Sequence, residues 1–172
     1  MKMRRILLFA LLGAVAAGCT SPPAKPEPEE AITLKPRTDA DPVEAWIGVG
    51  GTEIRAGDTF AVTVGLAIPP PFEIQDRHAP PPAIATTVEL TLPAGLHAVG
   101  EWSAPSPVRS QWPDGHSVYV GQVEFVRQVR VDKHVKPGEY EIGCAIRYRA
   151  CNDRYCLRPI SFDLPAEVKI RR

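Results

Sequence analysis

The chain has 172 residues, of which 44% are hydrophobic, with 20 basic and 20 acidic side chains and a formal net charge of zero. That length suits one domain, the apolar content excludes a chain that is disordered throughout, and the balanced charge does not favour nucleic-acid binding. Nineteen prolines and thirteen glycines favour loops over helices, because proline disrupts helix interiors and central strands.

The beginning of the chain has the features of a secretory signal. A basic start precedes an apolar run over residues 6–17 and small residues before Cys19. Residues 15–19 (VAAGC) resemble a bacterial lipobox, in which the cysteine is lipidated and becomes the mature N-terminus. We therefore predict a lipoprotein signal peptide over residues 1–18 and a lipid anchor on Cys19; Thr20 after the cysteine favours the outer membrane. The alternative is an ordinary signal peptide that leaves Cys19 as a free thiol.

A segment rich in proline and glutamate follows the predicted cleavage site. Residues 19–42 include the run SPPAKPEPEE and few large apolar side chains. Such a composition does not bury enough surface to offset the entropy lost on ordering. We interpret residues 19–42 as a disordered tether and residues 43–172 as the folded domain.

The remaining sequence consists of short alternating runs separated by turn residues. The predicted strands lie at residues 43–49, 59–66, 86–92, 118–131 (one bent strand or two), 140–148 and 160–170, the last interrupted by Pro165. A proline-crowded loop over residues 68–83 separates the second run from the third. About seven to nine strands without a sustained helical period predict an all-β fold, an immunoglobulin-like β-sandwich.

Two cysteines close together near the carboxyl end are the main candidate for chemistry. Cys151 and Cys156 flank four polar, turn-forming residues just beyond a predicted strand. A chain reversal there brings both residues within disulfide range. So small a ring stabilises the fold by only about 2 kcal/mol, which suits an exchange site better than a staple. Nearby arginines would favour the thiolate if they faced the sulfurs. From the residues alone, a redox pair and a structural bridge both remain open.

The other candidate ligands point to no metal site. Cys144 lies on the same face of its predicted strand as the apolar residues, so we expect it to be buried and to pack like a small hydrophobic residue. His116 and His134 have no ligand spacing to the cysteine pair, and no second pair with metal-binding spacing is present. We predict neither a metal nor a cofactor.

The carboxyl-terminal segment resembles a known family. Residues 143–159 (GCAIRYRACNDRYCLRP), followed by Phe162 and Leu164, are similar to the amino-terminal periplasmic domain of the thiol:disulfide interchange protein DsbD. The run LPAGL at residues 92–96 resembles a Leu-Pro-x-Gly corner of that family. The resemblance covers about residues 43–170.

The resemblance implies an immunoglobulin-like domain that passes electrons through Cys151 and Cys156. Family members cover the disulfide with a cap loop carrying an acidic-aromatic pair, which Glu101 and Trp102 match here. Trp102 is therefore the cap candidate, with an ordinary core or interfacial indole as the alternative. The expected residues lining the site are Phe72, Tyr148, Tyr155 and Pro159.

Three departures qualify this resemblance. The best-known family spacing has five residues between the cysteines, whereas this chain has four. The acidic residue expected before Glu101 is Gly100 here, so its proton-handling role is absent. The chain ends at Arg172 without a membrane carrier or a thioredoxin-like domain, so a relay requires a separate reductant.

The hypothesis is a thiol-disulfide exchange domain anchored in the cell envelope and facing the periplasm. Its partners would be a thioredoxin-like or membrane electron donor and disulfide-bearing periplasmic clients, with no nucleic acid. By family analogy, Cys156 is the attacking sulfur. The alternatives are a non-catalytic lipoprotein that uses a structural bridge and a binding surface, and capture of a soft metal by the thiols.

Overall fold

The computed structural model describes residues 32–51, 53–112 and 115–172. These residues form strands, and none of them belongs to a helix long and apolar enough to cross a membrane. The strands of the described chain are β1 (Ile32–Lys35), β2 (Glu44–Val49), β3 (Ile54–Arg55), β4 (Thr59–Ile68), β5 (Glu73–Gln75), β6 (Thr87–Thr91), β7 (Leu96–Ser103), β8 (Val108–Arg109), β9 (Ser117–Tyr119), β10 (Gly121–Val131), β11 (Gly138–Tyr148), β12 (Ala150–Cys151) and β13 (Ile160–Arg171).

Two of the sheets pack as a sandwich, and a smaller third sheet carries the cysteine pair. The first sheet has the order β1-β2-β4-β10-β7 and the second the order β3-β13-β11-β6. The third has the order β12-β5-β9-β8. The architecture is all-β and consistent with an immunoglobulin-like sandwich, as the sequence predicts.

The core follows the alternation visible in the sequence. On β4, Phe60, Val62, Val64 and Leu66 are all buried, because successive side chains on a strand point to opposite faces. The second sheet contributes the buried side chains of β11 (Ile142, Cys144, Ile146 and Tyr148) and of β13 (Leu164, Ala166, Val168 and Ile170). The alternation at residues 59–66 and 140–148 therefore places one face of each strand in the core.

Ordered structure begins before the boundary expected from composition. The composition of residues 32–42 predicts a tether, yet β1 pairs with β2 from Ile32 opposite Gly48 to Lys35 opposite Ala45. The Lys35 ammonium reaches the Asp41 carboxylate at 2.7 Å and donates to the Val43 carbonyl at 2.8 Å. Hydrogen bonds from a neighbouring strand order this segment, and they could not be predicted from its composition alone. Residues 1–31, with the predicted signal peptide and Cys19, lie outside the described part of the chain.

Proline at position 165 does not interrupt the last strand. Pro165 lies within β13 opposite Gly143 of β11, and β3 pairs with β13 only at Ile170 and Arg171. In the described structure the outer side of β13 therefore has no ladder partner at Pro165. A strand tolerates proline where one of its sides is unpaired.

A glycine separates the third sheet from the first. Gly121 has a φ of +67°, which L-residues with a side chain rarely adopt. The chain turns there from β9, in the third sheet, into β10, in the first. The predicted run at residues 118–131 is thus two strands that belong to different sheets.

The proline-crowded loop contains a strand that the sequence pattern did not reveal. All three residues of β5 are buried, and β5 pairs with β12 on one side and β9 on the other. Three residues between prolines are too few to show a period. This short strand forms one wall of the candidate site.

Candidate disulfide exchange site

The cysteine pair closes a tight hairpin. Cys151 and Cys156 lie opposite each other in an antiparallel bridge and form a disulfide, with Cα atoms 4.0 Å apart. The Asn152 N–H donates to the Tyr155 carbonyl at 2.9 Å, and the Leu157 N–H donates to the Ala150 carbonyl at 2.8 Å. These two backbone hydrogen bonds bracket the disulfide on both sides.

The side chain of Asn152 stabilises the turn between the cysteines. Its Oδ1 accepts hydrogen bonds from the N–H groups of Arg154 at 2.9 Å and Tyr155 at 3.0 Å. Asparagine commonly makes such bonds to the backbone two residues on, and they favour a turn. None of these hydrogen bonds involves a sulfur atom.

The two cysteines differ in exposure. Cys151 is 5% exposed, because β12 pairs with β5. Cys156 is exposed and lies on the returning arm of the hairpin. An approaching thiol therefore meets Cys156 first, and Cys151 lies on the protein side of the bond.

A depression of about 420 Å³ opens beside the disulfide. Four parts of the chain contribute to its lining: β5, the loop before β6, the loop between β8 and β9, and the hairpin itself. The residues that line it are Glu73, Gln75, Pro82, Ala83, Ser110, Trp112, His116, Arg149, Cys151, Asn152, Asp153, Arg154, Tyr155 and Cys156. We call this depression the disulfide pocket.

One of the residues that line the disulfide pocket carries a buried carboxyl group. Glu73 is 7% exposed, and the Ser110 hydroxyl lies 2.7 and 2.9 Å from its two carboxylate oxygens. Desolvation raises the pKa of Glu73, while the Ser110 hydrogen bond and the positive potential of His116 oppose that rise. The backbone N–H of Trp112 donates to Ser110 Oγ at 3.1 Å. A hydrogen-bonded chain thus runs from Glu73 to the backbone beside the Trp112 indole.

Three buried polar atoms in this pocket have no hydrogen-bond partner among the described residues. They are Gln75 Oε1, Trp112 Nε1 and Arg149 Nε. One is an acceptor and two are donors. Buried polar groups are normally paired, so these three atoms are exceptions among the residues that line the pocket.

The indole at this pocket is not the one that the sequence singled out. Trp102 is half-buried on β7 and lines a separate depression with Arg77, His78 and Tyr119, and the Arg77 guanidinium donates to its carbonyl at 2.6 Å. Glu101, beside it, is exposed. β7 belongs to the first sheet, whereas Cys151 belongs to the third. Glu101 and Trp102 are therefore absent from the lining of the disulfide pocket, and their cap role stays a prediction.

Trp112 is the tryptophan that the fold brings to the disulfide pocket. The sequence did not indicate Trp112, because the family resemblance matches the cap pair to residues 101–102. The available signal was a large aromatic side chain in an otherwise polar loop, a position where tryptophan is hard to explain by core packing alone.

The predicted lining residues divide into two groups. Tyr155 lines the disulfide pocket and meets Phe72 edge-on, with ring centroids 6.5 Å apart. Phe72 lines an adjoining depression of about 320 Å³ that shares Glu73 and Trp112 with the disulfide pocket.

Tyr148 and Pro159 do not line the disulfide pocket. Tyr148 is fully buried in the core with its hydroxyl on Asp41, because the inward parity of β11 turns it away from the hairpin. Pro159 is exposed beyond the hairpin.

The remaining thiol of the described chain is part of the core. Cys144 is unpaired and fully buried, and burial raises the pKa of its thiol to about 12. The expectation of a small buried hydrophobic residue is confirmed. Within residues 32–51, 53–112 and 115–172, no cluster of three or more His, Cys, Asp or Glu side chains is placed to hold a metal ion.

Comparison with known proteins identifies a structural neighbour. No protein-family model and no curated protein matches the sequence. The N-terminal periplasmic domain of ScsB from Proteus mirabilis, a crystal structure, is similar over 81% of this chain, with a TM-score of 0.54 and 13% sequence identity. This chain covers 51% of the length of that structure. At this level of identity, what the two proteins share is the fold.

Proposed function

We propose that this protein is a thiol-disulfide exchange domain that transfers electrons from a thioredoxin-like or membrane-embedded donor to disulfide-bearing proteins of the bacterial cell envelope. The single observation that carries the proposal is the Cys151–Cys156 disulfide in a hairpin, with one cysteine exposed and the other buried against a pocket. The resemblance of residues 143–159 to the DsbD amino-terminal domain supports it. The fold shared with a periplasmic domain is consistent with it.

Because Cys156 is the exposed cysteine of the pair, we infer that partners react with its sulfur. The donor thiolate attacks Cys156 Sγ, a donor–Cys156 disulfide forms, and the electron pair of the broken bond passes to Cys151 Sγ. A second thiolate of the donor then attacks the donor sulfur of this mixed disulfide and releases Cys156 as a thiolate. The donor dithiol becomes a disulfide, and the domain becomes a dithiol.

Delivery to the client repeats these steps in the opposite sense. The Cys156 thiolate attacks a client disulfide, and Cys151 then attacks Cys156 Sγ in the mixed disulfide and releases the client as a dithiol. Two electrons and two protons have moved from donor to client. The Asn152-stabilised turn holds Cys151 opposite Cys156 throughout, which favours this resolving step.

We infer that a polypeptide partner docks at the disulfide pocket, because the pocket presents the exposed side chains of Asp153, Arg154 and Tyr155 beside the exposed Cys156. We further propose that Trp112 shields the disulfide, the role that the family resemblance implies for Trp102.

The proposed location is the envelope, facing the periplasm. This location rests on the signal-like start of the chain and on the lipobox-like residues before Cys19, which predict a lipid anchor. Thr20, which follows the cysteine, favours the outer membrane. Residues between the anchor and β1 would leave the domain free to meet its partners.

The reduction potential of the pair in the full chain tests the function. We expect equilibration near about −200 to −230 mV, where exchange proteins operate, whereas structural bridges resist reduction until below about −300 mV. A potential below that limit would replace this proposal with the non-catalytic alternative, an envelope lipoprotein that uses its sandwich as a binding or scaffold module.

Trapping of partners tests the order of attack. In Cys151→Ser the exposed thiol remains and the resolving thiol is lost, so we expect mixed disulfides with envelope proteins to accumulate. In Cys156→Ser only the buried thiol remains, and we expect none. The reverse pattern would assign the attack to Cys151.

A further inference from the structure

The register of the third sheet places a residue that carries a carboxyl group directly opposite one of the two cysteines. β12 and β5 are antiparallel, with Cys151 opposite Glu73 and Ala150 opposite Ile74. Directly opposed residues project from the same face with Cβ atoms about 4.5–5.5 Å apart. Both side chains line the disulfide pocket, so the Glu73 carboxyl lies within reach of Cys151 Sγ.

Cys151 is the sulfur that needs a proton partner from the protein. When the disulfide is opened by attack on Cys156, negative charge develops on Cys151, which is 5% exposed. A buried anion is costly unless it is paired or neutralised. Cys156 is exposed and exchanges its proton with water.

Other charged groups also face this corner. His116 comes from the loop before β9, Arg149, Asp153 and Arg154 come from the hairpin, and Arg109 lines the adjoining depression together with Glu73. Arginine does not release its proton under these conditions. His116 acts on Glu73 through its charge, and it is the alternative proton carrier that the experiment must exclude.

We propose that Glu73 is the proton donor and acceptor for Cys151 during exchange. As the Cys151–Cys156 bond breaks, the Glu73 carboxylic acid gives its proton to the Cys151 thiolate and becomes a carboxylate. When Cys151 later resolves the mixed disulfide with a client, the carboxylate takes the thiol proton back as sulfur attacks. Charge is conserved at each step, and no co-reactant beyond the donor and client is needed.

The surroundings of Glu73 suit this role. Burial raises its pKa from the ordinary value of 4.5, so the acid form persists at higher pH than on an exposed glutamate. The Ser110 hydroxyl at 2.7 and 2.9 Å holds the carboxyl in place. A proton carrier works best when its pKa is close to the working pH.

The test substitutes Glu73→Gln in the full chain, which keeps the side-chain volume and an acceptor for Ser110 but exchanges no proton. Its matched control is Glu124→Gln, the same chemical change at an exposed position on β10. Disulfide reduction by dithiothreitol is followed from about pH 4.5 to about pH 8, and each rate is divided by the dithiothreitol thiolate concentration, because the thiolate is the attacking species.

For the wild type and Glu124→Gln, we expect this normalised rate to fall as pH rises and Glu73 ionises. For Glu73→Gln, we expect that pH dependence to be absent and the rate at the acidic end to be lower by about a hundredfold or more, the lower end of what general acid catalysis contributes. His116→Gln should retain the fall. Loss of the fall in His116→Gln, with its retention in Glu73→Gln, would assign the proton to His116.

A second readout follows the thiol itself. In a Cys156→Ser background, the pH dependence of Cys151 alkylation reports its thiol pKa. Glu73→Gln removes a negative neighbour, so we expect about tenfold more thiolate at a given pH. A purely structural role for Glu73 would change stability and leave this titration in place.

The proposed role of Glu73 rests on the exchange function, and different results would contradict each of them. An unchanged pH profile and thiol titration in Glu73→Gln would overturn the role of Glu73 while leaving the wild-type potential as it is. A wild-type potential typical of a structural bridge would overturn exchange itself. Should Glu73→Gln not fold, Glu73→Asp keeps a carboxyl group, and a pH-independent normalised rate in that variant would overturn the proposal.

Discussion

The hydroxyl of Tyr148 donates a hydrogen bond to the carboxylate of Asp41 at 2.8 Å, although the two residues are 107 positions apart. Asp41 is 5% exposed and also accepts from the Val43 N–H and pairs with Lys35. Tyr148 is the last residue of β11, immediately before the segment that leads into the cysteine hairpin. The contact therefore ties the amino-terminal segment to the base of the candidate site.

Removing Asp41 should be much more costly than removing the Tyr148 hydroxyl. Asp41→Ala leaves a buried hydroxyl and the Lys35 ammonium without their partner, so we expect a loss of about 2–4 kcal/mol in the free energy of unfolding. Tyr148→Phe removes one hydrogen bond while Asp41 keeps Lys35, and should lose about 1 kcal/mol. Urea unfolding measures both. Equal losses would contradict a central role for the carboxylate.

Substitution of the two candidate indoles should have different effects on the disulfide. Trp112 lines the disulfide pocket, so we expect Trp112→Ala to speed reduction by small thiols severalfold, because access to the sulfurs limits exchange. Trp102 lines a separate depression, and Trp102→Ala should leave the rate close to that of the wild type. Stopped-flow reduction with dithiothreitol measures both. Acceleration by Trp102→Ala alone would support the cap role predicted for Trp102 from the sequence.

The stability difference between Glu73→Gln and the wild type should depend on pH. Burial raises the pKa of Glu73 above 4.5 in the folded state, so the folded protein holds this proton more tightly than the unfolded chain does. Ionisation therefore costs the folded state stability as pH rises from about 4.5 through the raised pKa, and the cost is absent at lower pH, where both states are protonated. In urea unfolding, Glu73→Gln should gain stability relative to the wild type as pH rises above about 4.5. A difference independent of pH would show that burial does not destabilise the ionised carboxyl.

Cys144 should take no part in exchange. With a thiol pKa of about 12, only about one in ten thousand of these thiols is ionised at about pH 8, and the thiolate is the reactive form. We expect iodoacetamide to leave the peptide containing Cys144 unlabelled in the folded protein and to label it in urea. Peptide mass mapping distinguishes it from the other cysteines. Labelling of folded Cys144 as fast as reduced Cys156 would place it in the redox chemistry.

Features that depend only on neighbouring residues could be predicted before the fold was known. Alternation along residues 59–66 and 140–148 predicted which side chains enter the core, since strand geometry alternates them between faces. Four polar residues between Cys151 and Cys156 were enough to predict a turn and a disulfide, because both partners belong to one hairpin.

Features that depend on pairing between distant segments could not be predicted in this way. β1 becomes ordered through hydrogen bonds to β2, the three residues of β5 become a strand between β12 and β9, and Trp112 rather than Trp102 lines the disulfide pocket. The physical reason is that a loop acquires its neighbours from sheet pairing across the fold, and a strand of three residues is too short to show a period. The carboxyl beside Cys151 became visible only when that pairing placed Glu73 opposite it.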